Sequence, residues 1–346
     1  MLQYFKGSLA FTFVCLAAAL AYGWSLGGVA PAAEVVWIVA VLAVLEISLS
    51  FDNAVVNATV LKDMDEVWQK RFLTWGMLFA VFGMRIAFPL AVVAIAAGVG
   101  PVEAIQLSLN DPARYETVVS SAHVAIAGFG GAFLALVGMR FFFDADKEVH
   151  WIRWIEQQLS AVSTVHAAEI ALLLLALWGI SQMLVPADSL VFVSAGLLGI
   201  VTYIAVEAIG TLLELREAAH AAAGAAVRSG LGGFIYLNVL DTSFSFDGVI
   251  GAFALSNNMV IIALGLSIGA MFVRSLTIML VQRGTLNEYR YLEHGAFWAI
   301  VALAAIMLLS ARFHIPETFT GVIGAVLIGA SLAWSVRYKR RHPEPV

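Results

Sequence analysis

The sequence predicts an all-α fold, a polytopic membrane helical bundle of about nine to ten transmembrane helices containing inverted repeats. Three observations predict it. Hydrophobic residues make up 61% of the 346 positions and charged residues only 12%, with a mean hydropathy of +0.91, whereas a soluble domain carries about a quarter charged residues. Apolar stretches of roughly twenty residues, each enough to cross about 30 Å of hydrocarbon, recur from end to end. One acidic motif occurs twice, 195 residues apart. The net charge is −5, and the only basic tract is Arg337, Lys339, Arg340 and Arg341, which excludes the electrostatic footprint of a nucleic-acid-binding protein. The single cysteine, Cys15, excludes an intrachain disulfide and argues against a thiolate metal site.

Taken in order, ten segments read as spans: about 8–29, 33–61, 72–99, 118–143, 167–185, 188–212, 231–254, 257–282, 295–311 and 317–337. The first follows Lys6 as a signal peptide's apolar core would, but a lone lysine makes a weak n-region. The run also outlasts the roughly 7–15 residues of a signal core, so it reads as a retained span. Residues 1–346 form one integral membrane domain on this reading. Sidedness follows from lysine and arginine, which stay on the cytoplasmic side. The amino end and the loops after the even-numbered spans hold 15 of them, and the other loops hold only Arg114 and Arg312. That bias predicts a multi-pass protein of the cell inner (plasma) membrane, with both termini cytoplasmic and an even number of spans. Arg85 and Arg274 are left inside spans. Of the cytoplasmic connections, 144–165 interleaves tryptophans with charges, predicting a helix at headgroup level anchored by Trp151 and Trp154. The stretch 214–227 is alanine-rich and helical in propensity. Both read as structural connectors.

The repeated motif lies in the second and seventh spans. Leu45-Glu46-Ile47-Ser48-Leu49-Ser50-Phe51-Asp52-Asn53 aligns without gaps to Leu240-Asp241-Thr242-Ser243-Phe244-Ser245-Phe246-Asp247-Gly248. In the following spans Gly76 precedes Arg85 by nine residues, as Gly265 precedes Arg274. The second span runs outside to inside and the seventh inside to outside, so the two repeats, 33–140 and 231–338, are inverted. Inverted halves bring their equivalent segments together near the midplane, where transporters of this construction bind substrate.

Burying a carboxylate at a helix centre costs roughly 2.5–3.5 kcal/mol. Arg85 and Arg274 could neutralise two of Glu46, Asp52, Asp241 and Asp247; a bound cation, protonation or both must balance the rest. At about 100° per residue, Glu46, Ser50, Asn53 and Asn57 share one helix stripe, with Ser48 and Asp52 on another. Either the stripes face different neighbours, or the helix unwinds near Ser48 to Asp52. In the second half, Gly248 and Gly251 suit a break or close helix packing. The donors are all oxygen, which suits Mn²⁺, Mg²⁺ or Ca²⁺ rather than Zn²⁺ or Cu⁺. His123, read as the only histidine well inside a span, and Glu207, near the cytoplasmic end of the sixth, are secondary candidates. Glu169 reads as interfacial. Ion pairs that merely fix helix register leave this pattern short, because four acids face two arginines. Gly128-Phe129-Gly130-Gly131 follows no strand, so it reads as helix packing rather than a phosphate cradle.

At these residues the chain resembles the TerC-type membrane proteins, named for tellurium resistance and grouped with the lysine-exporter superfamily. Glu46-Ile47-Ser48-Leu49-Ser50-Phe51-Asp52-Asn53 is similar to that family's first motif and Asp241-Thr242-Ser243-Phe244-Ser245-Phe246-Asp247 to its second. The chain departs from the pattern at Gly248-Val249-Ile250, where many members carry Ser-x-Pro, and in its larger number of spans. It looks closer to a longer, largely uncharacterised branch. The resemblance implies cation export, with manganese the substrate best associated with bacterial members. It makes Glu46, Asp52, Asn53, Asp241 and Asp247 the matching ion-site positions.

The sequence therefore leads to a secondary transporter that exports a divalent metal cation, Mn²⁺ foremost, by alternating access, with proton antiport as a chemically available coupling. Ser50, Ser245, Arg85 and Arg274 would support the site. The cation is substrate, no cofactor is expected to be permanently bound, and the other partner is the lipid bilayer. The alternative is a membrane scaffold of a metal or tellurium stress-resistance complex, its ion pairs structural and its cytoplasmic loops docking partners. An enzyme is the weakest reading, because no nucleophile–base pair or His-Glu zinc pattern accompanies the acids.

Overall fold

The computed structural model describes residues 2–62, 64–76, 78–79, 83, 86–87, 90–91, 94, 98–144, 147, 149–162, 168–222, 230–252, 255–256, 258–284, 288–313, 315 and 317–342. Among these the regular structure is helical, with no strand. The helices are α1 (Leu2–Gly27), α2 (Val29–Leu49), α3 (Phe51–Leu61), α4 (Glu66–Arg71), α5 (Pro101–Asn110), α6 (Pro112–Ser121), α7 (His123–Phe142), α8 (Arg153–Val162), α9 (Ala168–Ser181), α10 (Pro186–Ala222), α11 (Leu231–Ala252), α12 (Met259–Gln282), α13 (Leu292–Ser310) and α14 (Glu317–Arg341). A π-helical turn, Phe72–Gly76, follows α4. Among the described residues, seven helices are long and apolar enough to cross a membrane, matching the first, second, fourth, sixth, eighth, ninth and tenth expected spans. The chain is an all-α, multi-pass membrane protein. The fifth expected span is the 14-residue α9, the seventh is α11, and much of the third lies outside the described residues.

The chain forms two compact units, the first of Met1–Ala54, Asp65–His123 and Leu237–Met279, the second of Val55–Met64, Val124–Tyr236 and Leu280–Val346. In the first, Gly28 at φ +88°, backbone that only glycine adopts without strain, turns α1 into α2. The two helices close tightly, so that a Cβ on Gly23 would lie 2.5 Å from Ala32 Cα. α1 runs antiparallel along α12: Ser8 Oγ donates to Met271 O at 2.6 Å and lies 2.6 Å from Ser275 Oγ, and Asn258 Nδ2 donates to the Tyr22 hydroxyl at 2.7 Å. Asn258 also caps α12, its Oδ1 accepting from Val260 N–H at 3.0 Å. α2 lies parallel to α12, with Leu42 over Gly265 and Glu46 over Gly269. Two glycines four apart give α12 a flat face on which a neighbour's backbone can approach.

In the second unit α7 uses its glycines in the same way. A Cβ on Gly128 would lie 2.6 Å from Phe192 O of α10, and one on Gly131 2.8 Å from Leu308 of α13. The glycine-rich run thus serves helix packing, as expected. α7 is parallel to α10 and antiparallel to α13, because Gly138, further along α7, faces Val301, earlier in α13. These directions, and those of α1, α2 and α12, agree with the alternating threading read from the sequence.

Three details differ from expectation, and a fourth falls among the alternatives that the sequence left open. Among the described residues of 144–165 the helix is Arg153–Val162, and the Glu156 carboxylate accepts the amide N–H groups of Trp151 and Ile152, holding those two residues in a turn ahead of α8. The fourth span begins at His123 rather than 118: Pro112 and the Asp111 cap start a separate helix, α6, which ends at Ser121 with Ala122 as its C-cap. The ninth begins at Leu292, placing His294 within it. The motif helices also differ from each other. The first breaks at Ser50, whose φ −101° and ψ 18° leave the helical range, while α11 runs unbroken through Gly248 and Gly251 to Ala252.

Candidate functional site

The five proposed ligands, Glu46, Asp52, Asn53, Asp241 and Asp247, all fall in the first unit. Glu46 is 4% exposed, Asn53 6% and Asp241 7%, so both motifs place their first acid in the interior. Glu46 is seated by α12: its Cβ and Cγ pack on Gly269, where any side chain would displace them. Ser50 Oγ donates to Glu46 Oε1 at 3.1 Å, and Ser50 N–H donates to Glu46 O at 2.9 Å. The interruption is therefore a single residue. Serine suits it because its hydroxyl competes with the backbone for hydrogen bonds, and here the hydroxyl is turned to the acid. Asn53 begins its own turn of α3, and buried Asn57 follows it one turn on.

Asp52 lies on α3 and Ser245 and Asp247 on α11; their side chains, and that of Ser48, lie outside the described part, as does Arg85 entirely. Among the described residues, no three His, Cys, Asp or Glu side chains converge as a metal cluster. Arg274 was expected to hold a carboxylate. Its Nε donates to the Leu73 carbonyl of the π-helical turn at 2.5 Å, and it forms no ion pair among the described residues, which leave out the Asp52 and Asp247 side chains. A π turn leaves carbonyls without their usual i+4 partner, which provides that acceptor.

The secondary candidates separate from this group. His123 is the first residue of α7 rather than a mid-span group. Glu207 lies 3.4 Å from Arg140 Nη2, and Glu169 lies 3.9 Å from Arg140 Nη1. Arg140 thus bridges α9 and α10 in the second unit, and Glu207, partly exposed, reads as an interfacial ion pair.

The sequence reading missed a further buried acid. Glu156 on α8, 1% exposed, accepts from Trp298 Nε1 at 3.0 Å, Trp151 N–H at 3.1 Å and Ile152 N–H at 3.2 Å. Lys147 Nζ and His294 Nε2 each lie 3.6 Å from it, and His150 Nδ1 lies 3.7 Å away. Burial alone pushes its pKa up, but the Trp298 and Ile152 hydrogen bonds and the neighbouring cations outweigh that and hold the carboxyl below its ordinary range. Burial pulls the Lys147 ammonium down to about 8, against the opposing attraction of Glu156. Lys147 also sits over the Phe141 ring at 3.7 Å, a cation–π contact. His294 Nε2–H donates to Val149 O at 2.7 Å. One signal was present in the sequence: an acid three residues beyond Arg153 on an amphipathic helix, preceded by Lys147 and His150. The partners Trp298 and His294 were not inferable, because they come from a helix more than 130 residues away.

No curated protein and no solved structure is detectably similar to the chain. Residues 51–342 match a family described as proteins of unknown function, DUF475. That match takes in the second motif whole and the first from Phe51 onward, together with the second unit's buried acid and every helix from α3 to α14. The chain is a membrane-helical protein that belongs to the DUF475 family.

Proposed function

We propose that the protein is a transporter, not an enzyme, that exports a divalent metal cation across the cell inner membrane by alternating access between inverted halves. The observation that carries this reading is the burial of Glu46 and Asp241, the equivalent first acids of the duplicated motif, in one compact unit. Desolvated carboxylates need a counter-charge. Four carboxylates in the duplicated motif face two arginines inside spans, and a proton or a cation would balance the surplus. Asp52 and Asp247 would bind the ion directly, and Glu46, Asn53 and Asp241 would serve as co-ligands or proton carriers. Carboxylates that release protons when they take up metal couple the two by mass action, which makes proton antiport the natural coupling. The helix break at Ser50, beside Glu46, supports the reading, because interrupted helices free backbone groups at transporter midplanes. Oxygen donors favour Mn²⁺, Mg²⁺ or Ca²⁺, and the TerC-type resemblance favours Mn²⁺. The bias of basic residues places both termini in the cytoplasm.

The test is total cell metal by elemental analysis in a strain lacking the gene, complemented with wild type, Asp52→Asn or Asp247→Asn. One divalent metal should accumulate and be relieved by wild type but by neither variant. If both variants restore metal content as well as wild type does, the ion-site assignment is wrong.

A further inference from the structure

A cavity of about 720 Å³ opens in the second unit among the connection ahead of α8, the turn ahead of α13 and the last turns of α14. Its lining holds Lys147, Arg153 and Arg290, two histidines, His150 and His342, and four aromatic residues, and no carboxylate among the described residues. Glu156 lies behind the lining and is matched by Lys147 and His150. Arg153 and Arg290 pair with no acid among the described residues. The cavity is built rather than incidental: Arg290 lies over the Tyr338 ring at 5.0 Å, with Nη1 3.5 Å from its hydroxyl. Tyr291 N–H donates to Ser335 Oγ at 2.9 Å, and Tyr338 stacks on His342 at 4.4 Å.

Its depth in the membrane follows from the spans. Arg290 and Tyr291 immediately precede the span Leu292–Ser310, and Tyr338 and His342 lie at the end of the span Val322–Arg341. Both helices meet the water at this level, and the exposed Trp154 and Trp334 beside it suit the interface. Phosphate esters occupy that layer, and arginine forks bind them bidentately. We propose that this cavity is a binding site for a phosphate-bearing anion at headgroup level, with Arg153 and Arg290 as the gripping groups. The site shares no residue with the transport reading and does not depend on it.

The test uses the purified full chain in non-ionic detergent. Native mass spectrometry with dioleoyl-phosphatidylglycerol against dioleoyl-phosphatidylcholine examines a lipid source, and calorimetric titration with inorganic phosphate a free one. Whichever binds is expected to do so at least tenfold more weakly in R153Q/R290Q. The single R153Q, at an exposed position, should lose several-fold with an unchanged melting temperature. The charge-matched K6Q/K70Q should bind as wild type does. Phosphatidylglycerol retained over phosphatidylcholine assigns a lipid headgroup, and saturable phosphate binding assigns a free anion. The proposal is overturned if neither ligand binds, if R153Q/R290Q binds as wild type does, or if K6Q/K70Q loses as much as R153Q/R290Q.

Discussion

Gly265→Ala tests the helix crossing that seats Glu46. The new Cβ would lie 2.5 Å from Leu42 Cβ and 3.2 Å from Val39 O. Ordinary contact begins at 3.4 Å, so α2 must retreat by about 0.9 Å, the difference of those two distances. Leu42 Cβ is fixed to the α2 backbone, so no rotamer change relieves it. Overpacking of this kind costs about 1–3 kcal/mol, against roughly 0.8–1 kcal/mol gained from alanine's helix propensity. The net expectation is a loss of about 0–2 kcal/mol, with Glu46 lifted from Gly269 one turn on. The assay is reversible unfolding in mixed micelles, with Gly329→Ala as the control. That glycine has nothing within 4 Å of a built Cβ, so its replacement should be neutral or slightly stabilising. If Gly265→Ala proves as stable as Gly329→Ala, or if it leaves metal content in the complementation assay untouched while lowering stability, the α2–α12 crossing does not position the acid.

Glu156→Ala should cost about 3–5 kcal/mol, because Trp298, Trp151 and Ile152 lose their acceptor and Lys147 its buried counter-charge; Glu156→Gln, which keeps one acceptor oxygen, should cost less in the same unfolding assay. Lys147, lowered from 10.5 to about 8 by burial, binds fewer protons folded than unfolded between those values. Its burial therefore opposes folding below pH 8, and stability should rise as pH climbs from about 8 to 10.5. Unfolding midpoints across that range should show the rise in wild type and not in Lys147→Met. Asn57 on α3 is fully buried, and neither side-chain polar atom has a hydrogen-bond partner among the described residues. Asn57→Leu should therefore raise stability by about 1–2 kcal/mol; a simultaneous loss of metal export would show that the unsatisfied amide is kept for function, and a fall in stability would contradict the burial argument.

Much of the fold was legible because hydrocarbon length imposes a long-range rule on local composition: a run such as 123–142 or 259–282 has few ways to satisfy its backbone other than as a helix. The directions of α1, α2, α7, α10, α12 and α13 followed from alternation alone. Glu46 and Asp241 stood out because an acid in such a run is conspicuous. Glu156 did not, because 144–165 is already polar and one acid more changes no pattern. His294 was missed through a boundary placed three residues late, since Tyr291, Leu292 and His294 carry no cap signal and the helix starts where packing on α14 allows it.

By itself, then, the sequence determined the membrane class, the relative directions of the packed helices and the duplicated acids, because these depend on hydrophobicity, charge and repetition read along one dimension. Only the tertiary structure decided that Gly269 seats Glu46, that Arg274 turns to the Leu73 carbonyl, that the motif helix breaks in one half and runs through in the other, and that Glu156 gathers two histidines and a lysine. Those outcomes depend on which backbone comes close enough to accept a hydrogen bond or exclude a Cβ, and that is settled by distances between residues far apart in the chain.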